Sequence, residues 1–299
     1  MPRKAYAAEG VFRPETNGAP MVHRVACRES KLHNRPVAPT PWQQRIRRAD
    51  QLAAQHSFAT EMLRFYIQVA RFQEGLYQHI ERASGTAPIS LSAPLEPVQL
   101  IAAFPSFLTV VEKNGPARLT EVAHELRSAP PSTWSHLLNA CWSAAGAPPL
   151  NPEEFLASAF LQPYAEYARA SSRLQLAGYT HALCPFCKRK PGLGVLRQLG
   201  DGARRNLLCS FCLAEWEFRR IVCPGCGQED HAKLPVYTAE TFAYIRVECC
   251  DACHTYIKSI DLTKNGLADP IVDELASVPF SLWAQEHGYA KLYPNLLGM

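Results

Sequence analysis

Nine of the eleven cysteines fall between residues 184 and 253, and they carry the clearest chemical signal in the chain. Eight of these nine form four pairs with the same Cys-x-x-Cys spacing: Cys184 and Cys187, Cys209 and Cys212, Cys223 and Cys226, Cys250 and Cys253. One such turn points two thiolates at one ion, and two turns complete a tetrahedral site. A single pair could be a redox dithiol, but four pairs in series predict two four-cysteine metal sites.

An internal repeat indicates how the four pairs combine. The second and third cysteines of each predicted site enclose 21 and 23 residues, close to the loop of about 15–20 residues that is typical of zinc ribbons. A shift of about 40 residues lays the first module on the second. The repeat predicts one site from Cys184, Cys187, Cys209 and Cys212, and another from Cys223, Cys226, Cys250 and Cys253. An interleaved arrangement, in which the first and third pairs share an ion, stays open.

A disulfide framework is the other interpretation of so many cysteines, and it requires an oxidising compartment. The first residues include Arg3 and Lys4, but Glu9 and Arg13 interrupt any apolar segment of the kind a signal peptide needs. Apolar runs elsewhere are far shorter than the 18 or more residues of a membrane span. We therefore expect a cytoplasmic protein with no stable membrane insertion.

The identity of the metal cannot be read from the spacing, because tetrahedral thiolate sites suit both iron and zinc. Four sulfurs close the coordination shell, so we expect no catalysis at the metal and no enzyme activity. Residues 184–260 contain eleven Lys and Arg against eight Asp and Glu, and two sites of −2 each would make the metal-loaded region slightly negative. That charge disfavours a zinc-ribbon nucleic-acid-binding module. It leaves a rubredoxin-like electron carrier as a further alternative.

The other thiols and nearby imidazoles are weaker candidates. Cys249 is expected to be a small buried hydrophobe in a strand, with a substitute ligand or a reactive thiol as the alternatives. Cys141 is expected in the core of a helix. His181, His231 and His254 lie near the cysteine pairs, but four sulfurs already complete each site.

The elements around these cysteines predict a multi-domain α+β protein, since 299 residues suggest about two domains. An N-terminal all-α helical domain precedes two tandem rubredoxin-like or zinc-ribbon-like four-cysteine modules and a C-terminal helix. Short runs rich in β-branched and aromatic residues predict the strands of the modules. The predicted divisions are a flexible arm at 1–39, the helical domain at 40–178, the modules at 179–220 and 221–262, and a helical tail at 263–299.

Capping signals place the helices of the first domain. Thr40, followed by proline and then by Gln43, predicts a capping box, and Asn151 before Pro152 predicts another helix start. Apolar residues at steps of three and four from Phe58 to Ile80 predict a long amphipathic helix. Further helices are expected near 97–113, 117–128, 133–145 and 152–175, with Pro105 among the breaks.

The cysteine region resembles the formate dehydrogenase accessory protein FdhE family. The resemblance rests on "CPFC", "LLCSFCLAEW", "CPGC", "CDACHTYIKSID" and a tail of the form "DELAS…LWAQEHGY…NLLG", over about 115 residues from 184 to the end. It implies a cytoplasmic accessory factor in the biogenesis of respiratory formate dehydrogenases, which contacts the catalytic subunit before export. It also implies two rubredoxin-like iron sites, with zinc as the alternative. No nucleic-acid partner is expected, and a homodimer stays open.

Overall fold

The computed structural model describes residues 39–84, 98–143 and 151–295. Nearly all of the predicted arm, with Cys27, lies outside these residues. Within the described residues the chain forms helices α1 (Pro41–Gln55), α2 (Thr60–Ser84), α3 (Val98–Asn114), α4 (Ala117–Ser128), α5 (Pro131–Ser143), α6 (Pro152–Ser171), α7 (Pro270–Ala276) and α8 (Val278–Glu286). The strands are β1 (Pro191–Leu199), β2 (Gly202–Cys209), β3 (Glu215–Glu217), β4 (Val236–Tyr237), β5 (Ile245–Cys250), β6 (Thr255–Asp261) and β7 (Ala290–Lys291).

The predicted caps are confirmed at both helix starts. The Thr40 hydroxyl accepts from the Gln43 amide at 3.1 Å, and the Gln43 side chain accepts from the Thr40 amide at 3.3 Å. Asn151 accepts from the Glu154 amide at 2.8 Å. Each cap satisfies an amide that the first helical turn leaves without a partner.

The predicted break at Pro105 is wrong, because α3 continues through it. A proline inside a helix removes one backbone hydrogen bond. Here the flanking side chains Phe104, Phe107 and Leu108 are fully buried, and their packing outweighs the lost bond. Phe104 and Phe107 lie 5.0 and 5.8 Å from Phe160 of α6, ring centre to ring centre.

The helical region also buries polar groups that join its helices. Arg45 of α1 donates two hydrogen bonds to Glu166 of α6, at 3.1 and 3.3 Å, and both side chains are buried. Gln73 of α2 donates to the Ala159 carbonyl at 2.7 Å. None of the helices that the structure describes combines the length and the apolar composition that crossing a membrane requires.

The described strands form one sheet rather than two separate ribbons. Its order is β3-β2-β1-β6-β5-β4, and β7 pairs with β6. The first module supplies β1 to β3 and the second supplies β4 to β6, each as an antiparallel set. A short parallel pairing of β1 with β6, from Gly194 opposite Ser259 to Leu196 opposite Asp261, joins the two. Gly194 is needed there, since a Cβ atom would lie 2.1 Å from the Ser259 hydroxyl.

Two short helices after the sheet attach it to the helical region. Asp269 caps α7 by accepting from the amides of Ile271 and Val272. The predicted C-terminal helix is two helices, because the chain turns at Ser277 and Pro279 lies in the first turn of α8. Asp273 of α7 accepts from Arg48 of α1 at 2.6 Å. The fold is therefore α+β as predicted, with helices, a sheet carrying two four-cysteine modules, and C-terminal helices.

Candidate metal centres

The first cluster brings together the four sulfurs of the first module. The Sγ atoms of Cys184, Cys187, Cys209 and Cys212 lie within 4.8 Å of one another. Cys184 and Cys212 are 3.5 Å apart, and Cys187 and Cys209 are 3.4 Å apart. Cys209 ends β2, whereas Cys184 and Cys187 precede β1. The hairpin of β1 and β2 therefore brings the two cysteine pairs of the cluster together.

The second cluster repeats this arrangement in the second module. The Sγ atoms of Cys223, Cys226, Cys250 and Cys253 also lie within 4.8 Å of one another. Cys223 and Cys253 are 3.7 Å apart, as are Cys226 and Cys250. The sulfurs group by module, so the structure does not have the interleaved arrangement.

These distances fit a tetrathiolate metal site. With metal–sulfur bonds of about 2.3 Å, the edge of a regular tetrahedron of sulfurs is about 3.8 Å, and the closest pairs measure 3.4–3.7 Å. A disulfide would need about 2.05 Å, and the ten cysteines that the structure describes are all free. Each set of four sulfurs therefore has the geometry to bind one tetrahedral metal ion.

All four cysteine turns use the same backbone conformation just after the second cysteine. Lys188, Leu213, Gly227 and His254 have φ of +62°, +54°, +80° and +53°. This left-handed conformation suits glycine and costs other residues roughly 1–2 kcal/mol. In three of the turns the residue donates its amide to the carbonyl of the first cysteine, at 2.8–3.0 Å. The strain at three non-glycine positions is tolerated because each turn must direct two sulfurs to one point.

The first cluster lies inside the hydrophobic core shared with the helical region. Cys184, Cys209 and Cys212 are at most 1% exposed. Phe211, between two of the ligand positions, contacts Trp142 of α5 at 5.9 Å between ring centres. The adjoining Arg189 is buried, lies 3.7 Å above the Phe211 ring and donates to the Cys141 carbonyl. The shared core also contains Leu156, Tyr164, Leu207 and Trp216.

The second cluster is more open to solvent. Cys226 is exposed and Cys253 is half-buried, whereas Cys223 and Cys250 are buried. The Thr255 hydroxyl lies 3.1 Å from the Cys253 sulfur, and the Gly225 amide donates to the Cys223 sulfur at 3.3 Å. Sequence reasoning missed Thr255, although its position two residues after the last cysteine, at the start of β6, was the available signal.

Burial and hydrogen bonding shift the pKa values of the clustered thiols in opposite directions. It raises the pKa of Cys209 and Cys212 well above the usual thiol range, and it raises the pKa of Cys223 to about 12. Hydrogen bonds from Cys184, Cys209 and Cys212 lower the pKa of Cys187. Burial would raise the pKa of Cys253, but hydrogen bonds from Thr255 and neighbouring thiols lower it to about 7. A cation that binds such a cluster must therefore displace protons from buried sulfurs.

The remaining candidates lie apart from the two sulfur clusters. Cys249 is 2% exposed on β5 and points away from the second cluster into the core beside Val247 and Tyr256, as expected for a small hydrophobe. Burial raises the pKa of its thiol to about 12. Cys141 is buried in α5. The four-residue groups contain no histidine among the described residues, so His181, His231 and His254 stay outside them.

Comparison with known families finds two matches across the cysteine region. The FdhE central-domain model matches residues 183–220, and the FdhE C-terminal-domain model matches residues 221–297. The first contains the whole of the first cluster and the second contains the whole of the second cluster.

Individual relatives agree with the family models. An FdhE homolog of Aquifex aeolicus is 35% identical over 146 residues, which is 48% of this chain and 51% of that protein. One of Pseudomonas aeruginosa is 37% identical over 124 residues, 40% of each chain. The chain thus spans about half or less of the length of these curated relatives. The crystal structure of the Pseudomonas aeruginosa FdhE protein superposes with a TM-score of 0.60 at 25% identity, covering 86% of this chain and 95% of that one.

Proposed function

Because the chain belongs to the FdhE family, we propose that it is an accessory factor in the maturation of respiratory formate dehydrogenase. In this role it binds the catalytic subunit in the cytoplasm before that subunit is exported. The observation that carries the proposal is the pair of four-sulfur clusters, held by a fold that superposes on an FdhE crystal structure.

The eight clustered cysteines would hold two metal ions. Cys184, Cys187, Cys209 and Cys212 form one ligand set, and Cys223, Cys226, Cys250 and Cys253 form the other. The family resemblance favours iron, which would supply one-electron redox chemistry, whereas zinc would act as a structural ion only. Either ion would tie together the two Cys-x-x-Cys turns of its own module.

A closed shell of four sulfurs supports a binding role rather than a catalytic one. Catalytic metal sites keep a position for water or substrate, and each of these clusters offers four protein ligands. The first cluster joins the sheet to the helices, because its residues share one hydrophobic core with α5 and α6. Metal binding at the first cluster would therefore hold the sheet and the helices in a fixed arrangement.

The test is complementation of a bacterial strain deleted for its own FdhE, scored by respiratory formate dehydrogenase activity and by co-purification of the catalytic subunit with tagged protein. Wild type should restore activity and retain the subunit. Cys184→Ser should lose both. Cys249→Ala is the matched control, because Cys249 is buried yet outside the clusters; it should behave as wild type.

Two results would contradict the proposal. One is wild-type protein that is folded and metal-loaded but neither restores activity nor retains the subunit. The other is full restoration by Cys184→Ser. Reversible bleaching of iron–thiolate absorption, without any subunit retained, would instead indicate a rubredoxin-like electron carrier.

A further inference from the structure

Four arginine and lysine side chains are buried among the residues that the structure describes, and three of them pair with a carboxylate. These three pairs are Arg45 with Glu166, Arg205 with Glu248 and Lys258 with Glu274. The fourth cation, Arg189, is 3% exposed and forms no ion pair with any carboxylate of the described residues. A buried charge without a counter-charge is costly, so Arg189 needs an anion of another kind.

Arg189 belongs to the first cysteine cluster by its backbone and by its side chain. Its carbonyl accepts from the Cys184 amide at 2.8 Å, which closes the turn that carries Cys184 and Cys187. Its side chain crosses the ring of Phe211, with the guanidinium carbon 3.7 Å from the ring centre, and donates to the Cys141 carbonyl. Burial would lower the pKa of Arg189, but nearby groups that include the thiols of Cys141 and Cys187 raise it. The guanidinium is therefore a fixed positive charge beside the ligand sulfurs.

A metal ion in the first cluster would create the missing anion. Four thiolates around a divalent ion leave a net charge of −2, and around a trivalent ion they leave −1. A cation held beside the site in a medium of low dielectric constant stabilises both states, and it stabilises the more negative state more strongly. The charge of Arg189 therefore acts on the difference between the two states of the ion.

The second module has no cation at the corresponding position. There Gln228 closes the turn, and its carbonyl accepts from the Cys223 amide at 2.9 Å, as the Arg189 carbonyl does in the first module. The Gln228 side chain is neutral, and its Oε1 accepts from the next two backbone amides, at 2.9 Å each. The turn can therefore form without a guanidinium, so the fold of the turn does not explain why Arg189 is buried.

We infer that Arg189 is the counter-charge of the first metal site and makes iron bound there easier to reduce than it would be without this cation. When iron(III) in the site gains one electron from a reductant, the net charge of the site changes from −1 to −2, and Arg189 stabilises the product. Net charge and solvent exposure are among the factors that set the potentials of iron–sulfur sites. The inference rests on the proposed function only in requiring that the first cluster holds an ion.

The test is a one-electron redox titration of the full chain loaded with iron. All proteins carry Cys226→Ser, so that only the first cluster holds iron, and a chemical reductant is added without oxygen while iron–thiolate absorption is recorded. Arg189→Lys keeps the charge. Arg189→Met keeps an apolar stem over Phe211, and Arg189→Gln keeps a donor for the Cys141 carbonyl. Lys188→Gln is the matched control, because it removes an exposed cation one residue away.

Arg189→Met and Arg189→Gln should each shift the equilibrium constant of reduction about tenfold or more towards the oxidised form, which lowers the potential by about 59 mV or more. Arg189→Lys should stay within about twofold of the parent protein, because the charge is retained. Lys188→Gln should also stay within about twofold, since water and salt screen an exposed charge.

Three patterns of potentials would overturn the inference: no shift in the two neutral variants, an equal shift in Arg189→Lys, or an equal shift in Lys188→Gln. An equal shift in Arg189→Lys would mean that the shape of the guanidinium matters rather than its charge. Iron uptake by Arg189→Lys but by neither neutral variant would support the inference, whereas no uptake by any of the three would overturn it.

The redox titration and the complementation test fail independently of each other. Unchanged potentials would leave restored formate dehydrogenase activity and retention of the catalytic subunit as they were measured. A failed complementation would leave the potential shifts intact, because the titration involves no partner protein.

Discussion

Release of metal to a chelator should distinguish the two clusters sharply. A chelator replaces thiolates one by one, so it must first reach a sulfur. In the second cluster Cys226 is exposed. In the first cluster Cys187 is half-buried, and the other three cysteines are at most 1% exposed and belong to the core shared with the helices. The second cluster should therefore lose its ion first.

The difference between the metal-release rates of the two clusters can be estimated from the contacts that cover the first cluster. Exposing the buried Phe211 side chain costs about 1.5–3 kcal/mol. Breaking the desolvated contact of Arg189 with that ring costs about 2 kcal/mol more. Since about 1.4 kcal/mol corresponds to a factor of ten, the first cluster should release metal roughly a thousandfold more slowly.

The assay uses zinc-loaded protein mixed with excess coloured chelator in a stopped-flow instrument. Two phases of equal amplitude should appear, separated by about three orders of magnitude in rate, as the contact energies above imply. Cys226→Ser should remove the fast phase and leave the slow one. Phe211→Ala should speed up the slow phase only. A single phase, or a slow phase that disappears in Cys226→Ser, would refute the reasoning.

Three further predictions concern stability. Lys188→Gly should raise the free energy of unfolding by about 1 kcal/mol, measured by denaturant titration of the metal-loaded protein, because it relieves a left-handed non-glycine residue; no gain would contradict the strain. Glu166→Gln should lower the free energy of unfolding by about 3–5 kcal/mol, because it leaves Arg45 buried without its anion. The double variant Arg45→Met with Glu166→Leu should change that free energy little. Equal losses in the two variants would contradict the role of the buried pair. Burial would raise the pKa of Glu274, but Lys258 and Lys291 lower it to about 2. The ionised Glu274 carboxylate therefore stabilises the fold above pH 4.5, and this contribution is lost as the pH falls towards 2. Between pH 4.5 and 2.5 the free energy of unfolding of Glu274→Gln should fall less steeply than that of the wild type, by up to about 1.4 kcal/mol per pH unit. Identical slopes in the two proteins would contradict the stabilising role of the ion pairs.

The sequence predicted the clusters because the relevant signal is local. Each Cys-x-x-Cys turn places its own two sulfurs, and the repeat indicates which two turns meet. Capping at Thr40 and Asn151 was equally predictable, since a cap depends on residues within one turn.

The sequence did not show how the modules join each other or the helices. The parallel contact of β1 with β6 depends on Gly194 meeting Ser259, two residues 65 positions apart with no distinguishing pattern. Pro105 was misleading because burial of its neighbours, which no local rule reports, outweighs the lost hydrogen bond.

Metal content is the measurement that tests the central claim most directly. Protein purified without oxygen and without chelators should contain two ions per chain by elemental analysis, one for each four-sulfur cluster. Cys226→Ser should contain one, and Cys249→Ala should contain two. Wild-type protein that is folded and holds no metal, with its clustered thiols free, would contradict the account.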